Sequence, residues 1–319
     1  LAEPPALRIL FFGTPEFAVP SLQALAASRH PVVGVVSQPD RPRGRGRKLA
    51  PTPVREAAAL LALPLRQPQR VGDSEALAWM RSLAPDLGVV VAFGQFLPRS
   101  VREIAPQGLI NGHASLLPRW RGAAPIHWAI RAGDTETGVS VMRIAREMDA
   151  GDVCLTRKTP IGSEETAGEL AQRLARLTAE ALVEAVDLVA EGRAVFAPQD
   201  PAGVTLAPKV DRDFARIDWA RPAPEVLRHI LSATPRPGVD LVLERAGKTI
   251  RILAARLASH EADPESPGSV RIHDGKLRIA TLDGWVEVPR LQPQGRHAIP
   301  SEEFLRGTRI APDERIRVP

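Results

Sequence analysis

Cysteine and tyrosine are the first residues found wanting. Across 319 residues there is one cysteine, Cys154, and no tyrosine. A lone cysteine forms no intrachain disulfide and cannot supply a cysteine-based structural zinc site. That usage suits a reducing compartment, so a cytoplasmic protein is expected. Aromatic residues make up only 4% of the chain, which leaves few platforms for stacking bases. No stretch stays apolar over the ~18 residues that a membrane span requires. The opening Leu-Ala-Glu-Pro-Pro-Ala-Leu has neither the basic nor the apolar region of a secretion signal. A soluble, unsecreted chain with no membrane partner is expected. A large excess of one charge is also lacking, because 42 Lys+Arg stand against 37 Asp+Glu and leave +5. Such a balance permits a polyanionic partner without demanding one.

What the chain has is length and an ordinary apolar share. With 319 residues, 44% hydrophobic and 25% charged, it reads as a globular protein of about two domains. Leu7 to Phe12 is an apolar run that stops at Gly13, and after Thr14-Pro15-Glu16 apolar residues recur at Phe17, Ala18, Leu22 and Leu25. That pattern is strand, glycine turn, helix. Val32 to Ser37 is a second run, and both are apolar at nearly every position, as strands buried on both faces of a parallel sheet are. The first turn has no Gly-x-Gly-x-x-Gly, so a dinucleotide is not implied.

Pro53 to Leu61 and Ser74 to Leu83 read as helices, and a buried strand between Pro85 and Pro98 ends in the Phe93-Gly94 turn. Thr166-x-x-Glu169 is a capping box that opens a helix with a stripe at Leu170, Leu174, Leu177, Ala181, Leu182 and Val186. The expected fold over residues 1–192 is α/β, with a Rossmann-like, mostly parallel sheet. From Pro198 to Pro208 the chain turns to Pro, Gly, Asp and Thr, and 193–208 is expected to be a linker. Beyond it five short β-type runs, at 239–243, 249–257, 269–273, 276–281 and 286–291, predict a small OB-like β-barrel within 209–319. Arg245, Lys248, Arg251, Arg256, Arg271, Lys276, Arg278, Arg290 and Arg296 are scattered through it. They form either a surface that faces RNA or ordinary solvated strand faces.

The chemistry is expected around Ile110 to Gly122. Asn111 and His113 stand two apart, so on an extended strand both leave the same face, an amide donor beside a titratable imidazole. Ala-Ser-Leu-Leu-Pro then offers a loop held open by proline. The ligand crevice of an open α/β sheet lies beyond the carboxyl ends of its strands, so Ala92 to Leu97 and Asn111 to Pro118 should share one rim. Met148-Asp149-Ala150-Gly151-Asp152 supplies two carboxylates around a tight turn, and either one could meet His113. The bland alternatives are a buried Asn and His satisfied by backbone, and a self-contained Asx turn. Asp40 to Lys48 interleaves the cations Arg41, Arg43, Arg45, Arg47 and Lys48 with glycine and proline. It is expected to be a mobile positive loop without regular structure, open to phosphate.

Four segments carry a resemblance along nearly the whole chain. They are Phe12-Gly13-Thr14-Pro15, Gln38 to Gly46, Ser115-Leu116-Leu117-Pro118-Arg119-Trp120-Arg121-Gly122-Ala123-Ala124-Pro125-Ile126, and Asp149-Ala150-Gly151-Asp152. In order and spacing the chain resembles the folate-dependent formyltransferases, and within them the enzymes that act on methionyl initiator tRNA. The resemblance implies a formyl group carried from 10-formyltetrahydrofolate to the methionine α-amine, without a metal and by a monomer. By motif position Asn111, His113 and Asp149 would be catalytic. Phe93, Gly94, Ser115, Leu116, Leu117 and Pro118 would line the folate pocket, and Arg43, Arg45, Arg47 and Lys48 would meet the tRNA. Gly112 stands where the resemblance leads to valine, and Phe93 where it leads to tyrosine. Another amine acceptor, water as acceptor, and a catalytically silent RNA-binding protein remain as alternatives.

Overall fold

Apolar runs at the start of the chain become strands in the computed structural model, which describes residues 5–43, 48–258 and 265–317. In chain order the strands are β1 (Ile9–Gly13), β2 (Val32–Val36), β3 (Arg41–Arg43), β4 (Lys48–Ala50), β5 (Leu65–Arg66), β6 (Leu87–Val91), β7 (Leu109–His113), β8 (Glu136–Arg143) and β9 (Val153–Pro160). Then follow β10 (Val239–Leu243), β11 (Lys248–Leu257), β12 (Val270–His273), β13 (Lys276–Ala280), β14 (Trp285–Pro293), β15 (Ile299–Pro300) and β16 (Ile316–Arg317). The helices are α1 (Val19–Ala26), α2 (Pro53–Leu60), α3 (Ser74–Ser82), α4 (Arg99–Arg102), α5 (Pro125–Ala132), α6 (Ala167–Ala190), α7 (Ala223–Ala233) and α8 (Ser301–Arg306). They divide between two units. The first comprises Leu1–Gly122, Glu136–Thr159 and Ala171–Leu206, the second Ala123–Thr135, Pro160–Leu170 and Ala207–Pro319.

In the first unit the sheet order is β5-β2-β1-β6-β7-β8-β9. The first five strands run parallel, and β8 pairs antiparallel with β7. This is the expected Rossmann-like, mostly parallel sheet. Every residue of β1, β6 and β7 is buried, because apolar side chains leave both faces. One face packs Leu10, Phe12, Val90, Phe93 and Leu109 into a cluster with Met80 and Val101. The chain runs outward from β1 through β2 to β5, then restarts beside β1 at β6. Two neighbouring strands therefore send their following loops apart, which opens a crevice at their carboxyl ends.

Asp40 to Lys48 corrects one expectation. Arg41–Arg43 pairs antiparallel with Lys48–Ala50, with Arg43 opposite Lys48, so the segment does enter regular structure. Proline fixes an extended backbone and is tolerated on the free edge of a two-stranded ribbon. The base of the ribbon is also tied down, since Arg41 Nη2 donates to Gln38 Oε1 at 2.9 Å and Arg55 pairs with Asp40. Arg45 and Arg47 lie outside the described residues.

In the second unit the sheet order is β12-β13-β14-β11-β10-β16, with each strand antiparallel to its neighbours and β15 added to β14. Alternate residues point inward along β10 and β11, where Val239, Leu241, Leu243, Ile250 and Ile252 are buried. Register shifts between Ile252 and Ala254 and between Ala254 and Arg256 bend β11 against β14, and bulges of this kind let a sheet coil. The result is a curled antiparallel half-barrel of OB-like form.

Candidate active site

Alternation along β7 decides which side chains can act. Gly112 faces α6, where a Cβ would stand 2.5 Å from Thr178 Cγ2 and 3.1 Å from Leu182 Cδ1. Leu109, Asn111 and His113 therefore leave the opposite face. Leu109 ends in the apolar cluster, and the two polar residues continue the same row toward the carboxyl end of the strand. The core gives way to polar groups at the rim. Asn111 and His113 are 8% and 6% exposed.

The two differ in what holds them. His113 Nε2 lies 2.9 Å from the Trp120 carbonyl, which only accepts, so Nε2 carries a proton. Nδ1 faces Asp149 Oδ2 at 3.6 Å, too long for a direct hydrogen bond. The Asn111 amide has no hydrogen bond among the described residues, although its residue is almost fully buried. Its amide atoms are not among the fully buried polar atoms that lack a partner, so the amide opens toward solvent at the strand's carboxyl end.

Asp149 is the carboxylate that meets His113, and Asp152 is exposed. The self-contained Asx turn is not what forms, because Oδ2 accepts from the Gly122 N–H at 2.8 Å, in another loop. Asp149 has φ 51°, a left-handed backbone that non-glycine residues rarely adopt. Gly151 permits the tight turn, since a Cβ there would run into the Arg143 carbonyl. The turn carbonyls are held by Gln199, whose Nε2 donates to Asp149 O and Gly151 O, each at 2.8 Å.

The other expected residues gather at the same rim. Phe93 packs its ring edge-on to Phe12, with centroids 5.6 Å apart, and is 2% exposed. The ring therefore belongs to the core, and what the turn presents is backbone. Its carbonyl accepts from Thr14 Oγ1 at 2.8 Å and Gln38 Nε2 at 2.9 Å, which ties the loops after β1, β2 and β6 together. Gly94 has φ 82°, a conformation glycine adopts without penalty. Ser115 is fully buried and its hydroxyl donates to Arg119 O at 2.6 Å. Ser140 braces the loop, accepting from Leu117 N at 3.0 Å and donating to Ser115 O at 2.8 Å. Leu116, Leu117 and Pro118 are each half-buried, and so remain partly open to a ligand.

Arg43 and Lys48 stand opposite each other in the ribbon by backbone register. Of the nine cations that the sequence scatters through the curled sheet, six are paired with a carboxylate. Arg256 donates to Glu287 at 2.8 Å, Arg278 lies 3.4 Å and Lys276 3.8 Å from the same carboxylate, and Arg245, Arg251 and Arg271 pair with Asp313, Asp240 and Glu265. Among the described residues Lys248, Arg290 and Arg296 have no acidic partner. Two other reactive types are framework. Burial pushes the Cys154 thiol up to about 11, so it is no nucleophile at neutral pH. Burial pushes His229 down to about 4, while its Nε2 stays 2.6 Å from the Phe214 carbonyl. Among the described residues no group of three or more His, Cys, Asp or Glu is placed to hold a metal ion.

Gln199, Thr205 and Ser140 were not expected at the site, and Trp120, within the expected stretch, had no role of its own assigned. All four act on or through backbone carbonyls and amides, which have no side-chain signature in a sequence. Gln199 and Thr205 also sit in the stretch read as linker.

Residues 7–186 match the family described as Formyl transferase, and residues 209–309 match Formyl transferase, C-terminal domain. Methionyl-tRNA formyltransferase of Symbiobacterium thermophilum is 46% identical over 316 residues, covering 97% of this chain and 96% of that protein. The protein of the same name from Jannaschia sp. is 44% identical over 306 residues, 96% of this chain and 98% of its own length. Two solved structures share the fold at lower identity. HypX from Aquifex aeolicus, in complex with tetrahydrofolic acid, superposes with a TM-score of 0.64 at 20% identity, over 94% of this chain and 47% of that one. WlaRD, a sugar 3N-formyl transferase in the presence of dTDP and 5-N-formyl-THF, gives 0.66 at 16% identity, over 92% of this chain and 100% of that one. With the family match spanning more than half its length and relatives this similar from end to end, the chain belongs to the formyl transferase family.

Proposed function

We propose that this chain, in the cytoplasm, transfers the formyl group of 10-formyltetrahydrofolate to the α-amino group of methionyl initiator tRNA. The observation that carries the reading is the open Asn111 amide beside a histidine whose Nδ1 faces Asp149 Oδ2 at 3.6 Å. The near-full-length likeness to methionyl-tRNA formyltransferases supports the choice of acceptor. The amine nitrogen bonds to the formyl carbon, the N10–formyl bond then breaks, and the proton lost by the amine ends on N10. An oxyanion develops on the formyl oxygen between these events.

Asn111 is the donor for that oxyanion. We assign no oxyanion contact to His113, whose Nε2 is committed to the Trp120 carbonyl. Nδ1 is the ring atom left to take the amine proton, and Asp149 lies beside it to stabilise the charged ring. We assign Ser115 to Pro118 and the Phe93-Gly94 backbone to the folate. Arg43, Arg45, Arg47 and Lys48 are assigned to the acceptor end of the tRNA. Residues 1–192 are then the catalytic domain, 193–208 the connection and 209–319 the tRNA-binding domain.

The test is formyl transfer from 10-formyltetrahydrofolate to methionine-charged initiator tRNA, run beside uncharged tRNA and free methionine. Product with the charged tRNA alone is expected. Folate turnover without formyl-methionyl-tRNA would move the acceptor elsewhere, and no turnover would remove the enzyme reading.

A further inference from the structure

The stretch after α6 does more than connect. Ala197 and Val153 exchange backbone hydrogen bonds of 2.9 and 3.0 Å, which lays the chain alongside the start of β9. Farther along, Thr205 is bonded to the loop after β7. Its Oγ1 accepts from Trp120 N at 2.8 Å and its carbonyl accepts from Arg121 N at 2.9 Å. Between these anchors Gln199 reaches the Asp149 turn. One short segment thus touches both loops that flank the His113 ring.

The orientation of the Gln199 amide is settled by its neighbours. Nε2 lies 2.8 Å from two carbonyl oxygens, which only accept, and Oε1 lies 3.0 and 2.8 Å from Arg121 Nε and Nη2, which only donate. Both donors and the acceptor are used. The two residues that flank the ring have unusual backbones: Asp149 has φ 51° and Trp120 φ 64°, and non-glycine residues stay in that region only where their surroundings impose it. Asp149 supplies the carboxylate facing Nδ1, and Trp120 supplies the carbonyl that takes Nε2–H.

We propose that Gln199 and Thr205 are positioning residues, Gln199 fixing the Asp149 side of the His113 imidazole and Thr205 its Trp120 side. The roles rest on the formyl-transfer reading for their consequence in rate, whereas the effect on the imidazole stands without it. A geometry error of about an ångström at a reacting group can cost on the order of a hundred-fold in rate.

Gln199→Glu is the sharp variant. It keeps the length and the Arg121 partner but sets an oxygen against the two turn carbonyls. Thr205→Val removes the hydroxyl at nearly constant shape, and Thr205→Ser restores it. For Gln199→Glu and Thr205→Val, kcat is expected to fall about ten- to a hundred-fold, with KM for folate and tRNA within about two-fold. Thr205→Ser is expected to stay near wild type. The 15N signals of the His113 ring, read without substrate, are expected to shift in Gln199→Glu and Thr205→Val and to stay in place in Thr205→Ser. An unchanged ring spectrum in Gln199→Glu overturns the proposal whatever happens to kcat. Equal losses in Thr205→Ser and Thr205→Val overturn the Thr205 limb. If wild type transfers no formyl group, the functional reading fails, and the ring spectra still decide this one.

Discussion

The carboxyl end of β7 and the face shared by β11, β13 and β14 both place polar side chains on buried strand positions, and they use them in opposite ways. At β7 the Asn111 amide is held by its strand and left without a partner among the described residues, and His113 is oriented by one carbonyl and one carboxylate. On the curled sheet Arg256, Lys276 and Arg278 all converge on Glu287, which is 2% exposed. Three cations that count toward a basic surface in the sequence are answered by one buried carboxylate, Arg278 from within the fold and the half-buried Arg256 and Lys276 from its edge. The first arrangement leaves a positioned amide open to a ligand, whereas the second answers charge with charge within the fold, although Arg278 Nε itself is left without a hydrogen bond.

The largest expected effects test each half of that contrast. Asn111→Ala should lower kcat about a hundred- to a thousand-fold, the loss associated with one oxyanion donor, with folate affinity kept. Asp149→Asn still offers an oxygen to the Gly122 N–H, so a similar loss there isolates the charge facing His113. Turnover within a few fold of wild type in either variant would mean that the open amide is not the mark of chemistry here. Glu287→Leu should instead leave per-molecule turnover alone and remove about 3–5 kcal/mol of stability, because Arg278 is left buried without its counter-charge. Denaturant unfolding measures this, and a loss under about 1 kcal/mol would make the cluster an ordinary surface ion pair.

A smaller effect concerns the other face of β7. Valine at position 112 is what the resemblance leads to, and glycine there raises the prospect of a loose strand. The structure shows the space taken instead by Thr178 and Leu182 of α6. Gly112→Val should therefore cost about 1–3 kcal/mol through overpacking. Thr178→Ser, which keeps the hydroxyl on Leu174 O and drops the crowding methyl, should recover part of it in the double variant. Stabilisation by Gly112→Val alone would show that α6 yields easily and that the site tolerates a shifted β7.

These cases also show where the sequence was legible. The parallel sheet was, because unbroken apolar runs such as Val32 to Ser37 admit few other placements. Asn111 and His113 were, because the two-residue period of a strand fixes their shared face. The choice of Asp149 over Asp152 was not, since it depends on a left-handed residue and a backbone N–H from Gly122. Gln199 was hidden for the same reason: its partners are carbonyl groups that every residue has. The ribbon at Arg41–Arg43 was missed because proline and glycine signal irregularity along the chain without revealing a free edge across it. The pairing of the barrel's arginines was missed because Glu287, Asp240 and Asp313 are distant or unremarkable neighbours in sequence.

The smallest expected effect decides which cations of the curled sheet remain for a polyanion. Lys248 and Arg290 are exposed, and among the described residues neither has an acidic partner. A phosphate contact releases about 0.9 counterion per charge, so losing one should lower the slope of log affinity against log salt by about 1. Lys248→Ala and Arg290→Ala should each do so for charged tRNA, with kcat at saturating tRNA unchanged. Arg278→Met should leave the salt slope alone and weaken folding, because its charge is already answered by Glu287. Equal slopes for all three variants and wild type would move the tRNA contact off this sheet, toward the Arg43 and Lys48 ribbon. A lowered slope for Arg278→Met would mean that pairing inside the fold does not remove a cation from the binding surface, and the contrast between open and paired groups would then hold for hydrogen bonds but not for charge.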